Sequence, residues 1–347
     1  MRVNDLDTPA LVIDLDRTEA NIHRLQAYCD QHGLGLRPHI KTHKIPALAH
    51  QQLRAGAVGI ACQKLGEVEV MLNAGISDIL IPYNIVGQAK LERLARLARQ
   101  SRLTVSVDHE TVARDMSRVL AAEGGQVGAL IEIASTIERA GVVDVAEVVR
   151  LARLIDDLPA LDWRGILMYP TNADNIPLLD RAYRALCDAG LTPAVVSGGG
   201  SPFMLRQAEV PWLTEVRVGT YIFEDMTGVK GGYFSLDHCA ATLLCTVVSA
   251  PTAERVILDG GSKTLTTEGG APHGHIVEYP DAIIYKLNEE HAYTDVSRCP
   301  TTPTIGERVH VIPNHVCVAV NLHNVAYGVR GDEIVAVWPV AARGLVQ

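Results

Sequence analysis

The residues best equipped for covalent chemistry lie in one octet, Arg37-Pro38-His39-Ile40-Lys41-Thr42-His43-Lys44. An extended backbone throws alternate side chains to opposite faces, so Arg37, His39, Lys41 and His43 are expected on one face and Pro38, Ile40 and Thr42 on the other. Cations that share a face disfavour one another's charged form, and burial acts in the same direction, so a lysine here is expected to have a lowered pKa. A neutral amine is what a Schiff-base lysine requires. The same residue types also describe a solvated basic edge, and the octet alone does not separate the two.

Two further stretches have the composition of ligand loops. Ser197-Gly198-Gly199-Gly200-Ser201 and Gly219-Thr220-Tyr221 are glycine-rich turns that lead into helical segments. Backbone N–H groups and hydroxyls in such turns can surround a phosphate. Near the C-terminus, Pro313-Asn314-His315-Val316-Cys317 places an imidazole and a thiol two residues apart. In a strand His315 and Cys317 project to one side, a good pair for Zn2+ or a similar divalent ion. Two ligands are too few for a closed structural site and suit an open one completed by water and a substrate oxygen. From the spacing alone, a buried His and Cys in a β domain is the commoner explanation.

The elements that must position these groups are periodic. A proline-opened strand at 10–14 is followed by a helix from Asp16 to His32, stopped by Gly33. Strand candidates then recur at 36–41, 58–62, 78–82, 103–108, 129–134, 165–169, 194–197 and 216–219, with helical stretches between them. The clearest helix covers 87–100 with a Leu91, Leu94, Leu97 stripe. Eight strands alternating with helices predict an α/β fold, a (β/α)8 TIM-type barrel over 15–231, and no GxGxxG follows the first strand to support a dinucleotide fold. From Gly232 onward the pattern becomes β-rich at 241–249, 255–259, 308–312 and 334–340, which predicts a mostly β domain over 1–14 and 232–347.

Catalytic groups of such a barrel sit at the C-terminal strand ends, and phosphates bind after its seventh and eighth strands. Lys41 ends the first strand and the two glycine-rich turns follow the last two. A lysine and a phosphate site on one mouth point to pyridoxal 5′-phosphate (PLP), its aldehyde held by Lys41. Arg139, after the fifth strand, is a candidate partner for the pyridine nitrogen, which it would keep unprotonated. An ordinary surface arginine fits the position too. Tyr169, ending the sixth strand, is in reach of the same cofactor or is a packing residue.

Composition narrows the function class. The chain has 347 residues, 48% of them apolar and 20% charged, the profile of a packed globular enzyme. A net charge of −9 without a basic tail argues against nucleic acid and anionic membrane as partners. The acidic N-terminus Met1–Asp7 does not read as a signal peptide, and no apolar run approaches a membrane span. Seven cysteines with no CxxC pair fit reduced cytoplasmic thiols.

With these positions placed, the chain resembles the D-threonine aldolase and D-serine dehydratase family, PLP enzymes of the alanine-racemase fold (fold type III). The resemblance runs nearly end to end, through Thr8-Pro9-Ala10, the Arg37–Lys44 octet, Gln63-Lys64-Leu65-Gly66-Glu67, Ser197–Gly200, Gly219–Tyr221, Asp259-Gly260-Gly261-Ser262-Lys263 and Pro313–Cys317. It implies Lys41, rather than Lys44, as the Schiff-base lysine, Arg139 at the ring nitrogen and Tyr169 in the active site. The phosphate loops it implies are Ser197, Gly199, Gly200, Ser201, Gly219, Thr220 and Tyr221. A divalent metal (Mn2+, Zn2+ or Mg2+) is implied on His315 and Cys317, with His39 and His43 walling the ring. The implied activity is retro-aldol cleavage of β-hydroxy-D-amino acids to glycine and an aldehyde. D-serine or 3-hydroxy-D-aspartate dehydration is the rival; racemization is disfavoured by the His315/Cys317 pair. A homodimer is expected. Two stretches depart from the family pattern, Ala134-Ser135-Thr136-Ile137-Glu138 before Arg139 and Pro170-Thr171 after Tyr169.

Overall fold

The computed structural model describes residues 1–347, which form two compact units. One comprises Arg24–Lys41, Leu48–Gly219 and Leu345–Gln347, the other Met1–His23, Thr42–Ala47 and Thr220–Gly344. The chain opens with β1 (Ala10–Asp14), which runs directly into α1 (Leu15–Gln31). Asp14 makes the junction: its carboxylate accepts from the Arg17 N–H at 3.0 Å and its carbonyl from Thr18 Oγ1 at 2.6 Å. That occupies a donor which the first helical turn leaves without an intrahelical partner.

The larger unit is the expected barrel. Its strands are β2 (Gly35–Leu36), β3 (Ile60–Ala61), β4 (Asp78–Ile81), β5 (Arg102–Val107), β6 (Val127–Ile133), β7 (Leu161–Met168), β8 (Val195–Gly199) and β9 (Glu215–Arg217). All neighbours are parallel, in the order β2-β9-β8-β7-β6-β5-β4-β3. The ring closes between β2 and β3, where Val58 N–H reaches Leu36 O at 2.9 Å, Ala61 N–H reaches Pro38 O at 2.7 Å, and His39 bridges Ala61. Helices α2 (Pro46–Arg54), α3 (Leu65–Asn73), α4 (Gln88–Ala98), α5 (Glu110–Ala122), α6 (Val145–Asp157) and α7 (Ile176–Asp188) separate the strands. On α4 the buried face is Leu91, Leu94 and Ala95, with Leu97 half-buried at its margin.

The barrel interior carries a charged column. Arg37 donates from Nε to Glu215 at 2.9 Å and from Nη1 to Asp78 at 2.8 Å. Ser197 Oγ donates to the other Glu215 oxygen at 2.6 Å and accepts from Arg217 Nη1. Buried charges persist when paired and hydrogen-bonded in this way; removing one member of such a pair costs about 3–5 kcal/mol because the other is stranded. Gly199 must be glycine: a Cβ there would lie 1.9 Å from the Arg217 carbonyl oxygen.

The strand expected over 36–41 turns away early. Arg37 and His39 N–H still bond the Val216 and Val218 carbonyls, both at 2.9 Å, so the chain stays extended to His39. Ile40–Thr42 then form a single 3-10 turn. The strict alternation therefore ends at His39, and His43 does not share the inward face. It is fully buried in the smaller unit, accepts from Ile45 N–H at Nδ1 and meets Phe223 edge-on at 6.4 Å.

The smaller unit is mostly β. It adds β10 (Ala241–Thr252), β11 (Arg255–Leu258), β12 (His275–Ile276), β13 (Ile283–Leu287), β14 (Ala292–Asp295), β15 (Arg308–Ile312), β16 (Val325–Arg330) and β17 (Glu333–Pro339), with short helices α8 (Met226–Lys230), α9 (Ser262–Leu265) and α10 (Val316–Leu322). As expected, the N-terminal strand pairs here: β1 lies antiparallel to β10 and parallel to β16 in a nine-stranded sheet. Val3, Leu6, Ala10 and Val12 pack on Leu244 and Val329. The unit takes in more chain than 1–14 and 232–347 because its polar ties extend further. Asn21 Nδ2 donates to His238 O at 2.8 Å, Arg17 Nη1 to Cys239 O at 3.0 Å, and Met226 N–H to Pro313 O at 3.1 Å. No helix is long and apolar enough to cross a membrane.

Candidate functional site

Lys41 sits in the 3-10 turn just past β2, half-buried, and its Nζ makes no hydrogen bond or ion pair. The neighbouring His39 is 8% exposed and accepts from the Lys41 N–H at Nδ1, while Nε2 donates to Gln63 Oε1 at 3.0 Å. Burial, then the Lys41 charge, holds this imidazole well below its ordinary pKa, with Arg217 adding to the effect. A neutral ring is also what its two hydrogen bonds require, one accepting and one donating.

Arg139 stands on the loop that follows β6. Its guanidinium lies over the Tyr169 ring at 5.4 Å, and Nη2 is 3.6 Å from Glu132. Burial raises the Glu132 carboxyl above its usual range and Arg139 opposes that rise. Tyr169, one residue beyond β7, is 38% exposed, and the Arg139 side chain is 55% exposed. Gly199 ends β8, and Gly200 and Ser201 start a 3-10 helix, Ser201–Glu209. A Cβ on Gly200 would stand 3.3 Å from Pro170 Cβ and 4.0 Å from Tyr169 Cε2, so this bare backbone lies along the ring edge.

One unit thus gathers Lys41, Arg139, Tyr169, Gly199, Gly200 and Ser201 at the C-terminal ends of its strands. Ser197 is placed differently, 1% exposed inside the barrel between Glu215 and Arg217. Gly219 ends the barrel unit, whereas Thr220 and the fully buried Tyr221 open the smaller one. The residues fit PLP: an unpaired amine, an exposed ring with a cation over it, and a backbone turn stripped of side chains. Arg217 went unmarked in the sequence. It is buried, and its Nη2 donates to Met168 O at 3.2 Å. A cation inside the apolar run Val216-Arg217-Val218 was the available signal.

His315 and Cys317 are not on a strand. His315 caps α10 and Cys317 is the second residue of that helix, because Pro313 ends the extended run of β15. Asp225 orients the imidazole: one carboxylate oxygen lies 3.2 Å from His315 Nδ1 and accepts from Val316 N–H at 3.0 Å, and the other accepts from Gly228 N–H at 3.2 Å. Asp225, followed by the hydrogen bond to Cys317, raises His315 to about 10. Cys317 Sγ is 3.2 Å from Thr42 Oγ1. Asn314 anchors the motif from behind, donating to Gly270 O at 2.8 Å and Pro272 O at 2.9 Å and accepting from Lys230 Nζ at 2.8 Å.

No group of three or more His, Cys, Asp or Glu is arranged around a metal position. The donor set nevertheless fits an open divalent site, since a carboxylate on Nδ1 leaves Nε2 as the ligand atom, the arrangement found behind metal-bound histidines. Asp225 was the residue that sequence reading missed here, ninety positions from its partner. Cys29 and Cys239 are buried packing groups, and burial pushes both up to about 12.

Comparison with known proteins bears on the family and the fold. Residues 13–226 match the family model "Alanine racemase, N-terminal domain", and 240–329 match a model for a serine dehydratase domain. A D-threonine aldolase of Arthrobacter sp is 34% identical over 98% of this chain and 93% of its own length. The crystal structure of D-threonine aldolase from Filomicrobium marinum superposes with a TM-score of 0.94 at 31% identity, over 100% of this chain and 98% of that one. A cysteine-to-alanine mutant of D-threo-3-hydroxyaspartate dehydratase, in the metal-free form, superposes at 0.87 with 27% identity over 98% of each chain.

Proposed function

Because the chain belongs to the alanine racemase N-terminal domain family, the PLP-dependent enzymes that include D-threonine aldolases, we propose that it cleaves β-hydroxy-D-amino acids to glycine and an aldehyde. The proposal includes a divalent metal, Mn2+, Zn2+ or Mg2+, on His315 and Cys317. The observation that carries the β-hydroxy substrate class is His315, its imidazole held by Asp225 beside the Cys317 thiol.

Lys41 would hold the cofactor's aldehyde carbon, Arg139 its pyridine nitrogen, and Gly199, Gly200, Ser201, Gly219 and Thr220 its phosphate. Tyr169 would face its ring, with Ser197 and Tyr221 supporting the two loops from below. When bound, PLP supplies the sink for the electron pair released at the substrate Cα. A divalent ion supplies Lewis acidity toward the β-hydroxyl. Arg139, permanently charged, leaves no proton for the pyridine nitrogen and so moderates that sink. Neutral His39 adds no second cation beneath Lys41, whose amine is left to take or return the proton at Cα. In the retro-aldol direction the β-hydroxyl gives its proton to water, the Cα–Cβ bond breaks to release Cβ as the aldehyde, and Lys41 or water protonates Cα.

The likeness to a D-threo-3-hydroxyaspartate dehydratase favours one rival, in which Lys41 removes the Cα proton and hydroxide leaves. D-serine and 3-hydroxy-D-aspartate are the substrates of that reading. Incubation of the PLP- and Mn2+-loaded protein with D-threonine and D-serine decides between them. Glycine and acetaldehyde from D-threonine are expected; keto acid and ammonia would make it a dehydratase. A homodimer belongs to the same proposal, and light scattering on the eluting protein should give twice the 37.5 kDa chain mass. A mass of one chain would remove it.

A further inference from the structure

We propose that Asn175 is a positioning residue that holds the Arg139 loop against the Tyr169 loop and thereby sets the cation at the pyridine nitrogen. The inference rests on the PLP reading above. Arg139 and Tyr169 lie on loops that follow different strands, β6 and β7, so their 5.4 Å stacking needs a tie between the two. Asn175 supplies it. It precedes α7 in the capping position, yet its side chain makes no capping hydrogen bond to that helix. An asparagine cap stabilises a helix by about 1 kcal/mol, so the side chain forgoes that contribution for its other bonds.

Those bonds cross the two loops. Asn175 Oδ1 accepts from the Thr136 N–H at 2.9 Å, and the two N–H groups of Nδ2 are shared among Asn172 Oδ1 at 2.7 Å, Pro170 O at 3.1 Å and Thr136 Oγ1 at 3.2 Å. Asn175 is 3% exposed, so its amide meets these partners from a side shielded from bulk water. A parallel tie joins Ser135 Oγ to the Tyr169 carbonyl at 2.7 Å. Thr136 stands three residues before Arg139, and Pro170 directly follows Tyr169.

The Arg139 loop needs such holding. Glu138, the residue before the arginine, has φ of +49°, a left-handed conformation that non-glycine residues keep only where their surroundings impose it. On its far side the loop is tied by Gly141 N–H to Asp108 at 3.0 Å. Asn175 and Asp108 therefore grip the arginine from both flanks.

The test is a double-mutant cycle read by PLP affinity and by the visible band of the loaded protein, alongside unfolding of the cofactor-free protein. Asn175→Ala should weaken PLP binding about tenfold, the loss of roughly one well-made buried hydrogen-bond pair, and shift the band. In an Arg139→Ala background the same substitution should change affinity less than about twofold. Asn175→Asp keeps the acceptor for Thr136 and loses the donors, so its effect should be intermediate, and it carries the test if the alanine variant does not fold. Wild-type affinity and band in both variants would overturn the proposal. So would an effect of equal size with and without Arg139, which marks a structural role only. If the wild-type protein takes up no PLP, the functional reading has failed instead.

Discussion

Replacing Lys41 by alanine should remove the visible band of the PLP-loaded protein and lower turnover by at least about 10²–10⁴-fold, the contribution of the acid–base role alone. Lys41 is half-buried at the end of a barrel strand with no acceptor for its ammonium, beside an imidazole that burial keeps neutral. A lysine that packs for structure has a partner. Lys44, three residues on, provides the contrast: it is 6% exposed and donates from Nζ to Asn321 Oδ1 at 2.8 Å. Lys44→Ala should therefore keep the band and lose about 1–3 kcal/mol of stability, from stranding a buried polar partner. A Lys41→Ala protein with an unchanged band would sink the cofactor assignment. A folded Lys44→Ala protein without the band would move the anchor to that lysine.

What could be read from the sequence follows from how locally each feature is encoded. The barrel rests on eight apolar runs with helical stripes between them, signals carried within a dozen residues each. Lys41 and the glycine turns could be placed because strand ends locate them. The inward column could not: Arg37, Asp78, Ser197, Glu215 and Arg217 come from four separate strand regions and meet only when the ring closes. Side-chain alternation holds to His39 and ends there, because Ile40–Thr42 coil into a turn that carries Thr42 onward to the smaller unit. His315 and Cys317 share not a strand face but the start of α10, a placement that their two-residue spacing does not encode. Their partner Asp225 is set by the β-unit fold, which brings Met226 and Thr227 N–H onto the Pro313 and Asn314 carbonyls.

Exhaustive chelation should abolish cleavage of D-threonine while leaving the visible band in place, and added Mn2+ should restore it. The loss expected is at least about 100-fold, since Lewis-acid stabilisation is worth several kcal/mol and each 1.36 kcal/mol is tenfold. His315→Ala and Cys317→Ala remove ligand atoms, so no metal concentration should recover them fully. Asp225→Asn is the discriminating variant. Asparagine can still accept from Val316 N–H, so the start of α10 keeps its shape, but the charge that steadies the His315 Nδ1 proton is gone. Loss of such an orienting carboxylate lowers metal affinity about 10–100-fold. Activity of Asp225→Asn should therefore return toward the wild-type maximum as Mn2+ is raised, with the half-saturating concentration displaced by that factor. Unchanged half-saturation would show that Asp225 only shapes the helix start. Full activity after chelation would remove the metal from the reaction, and with it the physical reason for preferring a β-hydroxy substrate.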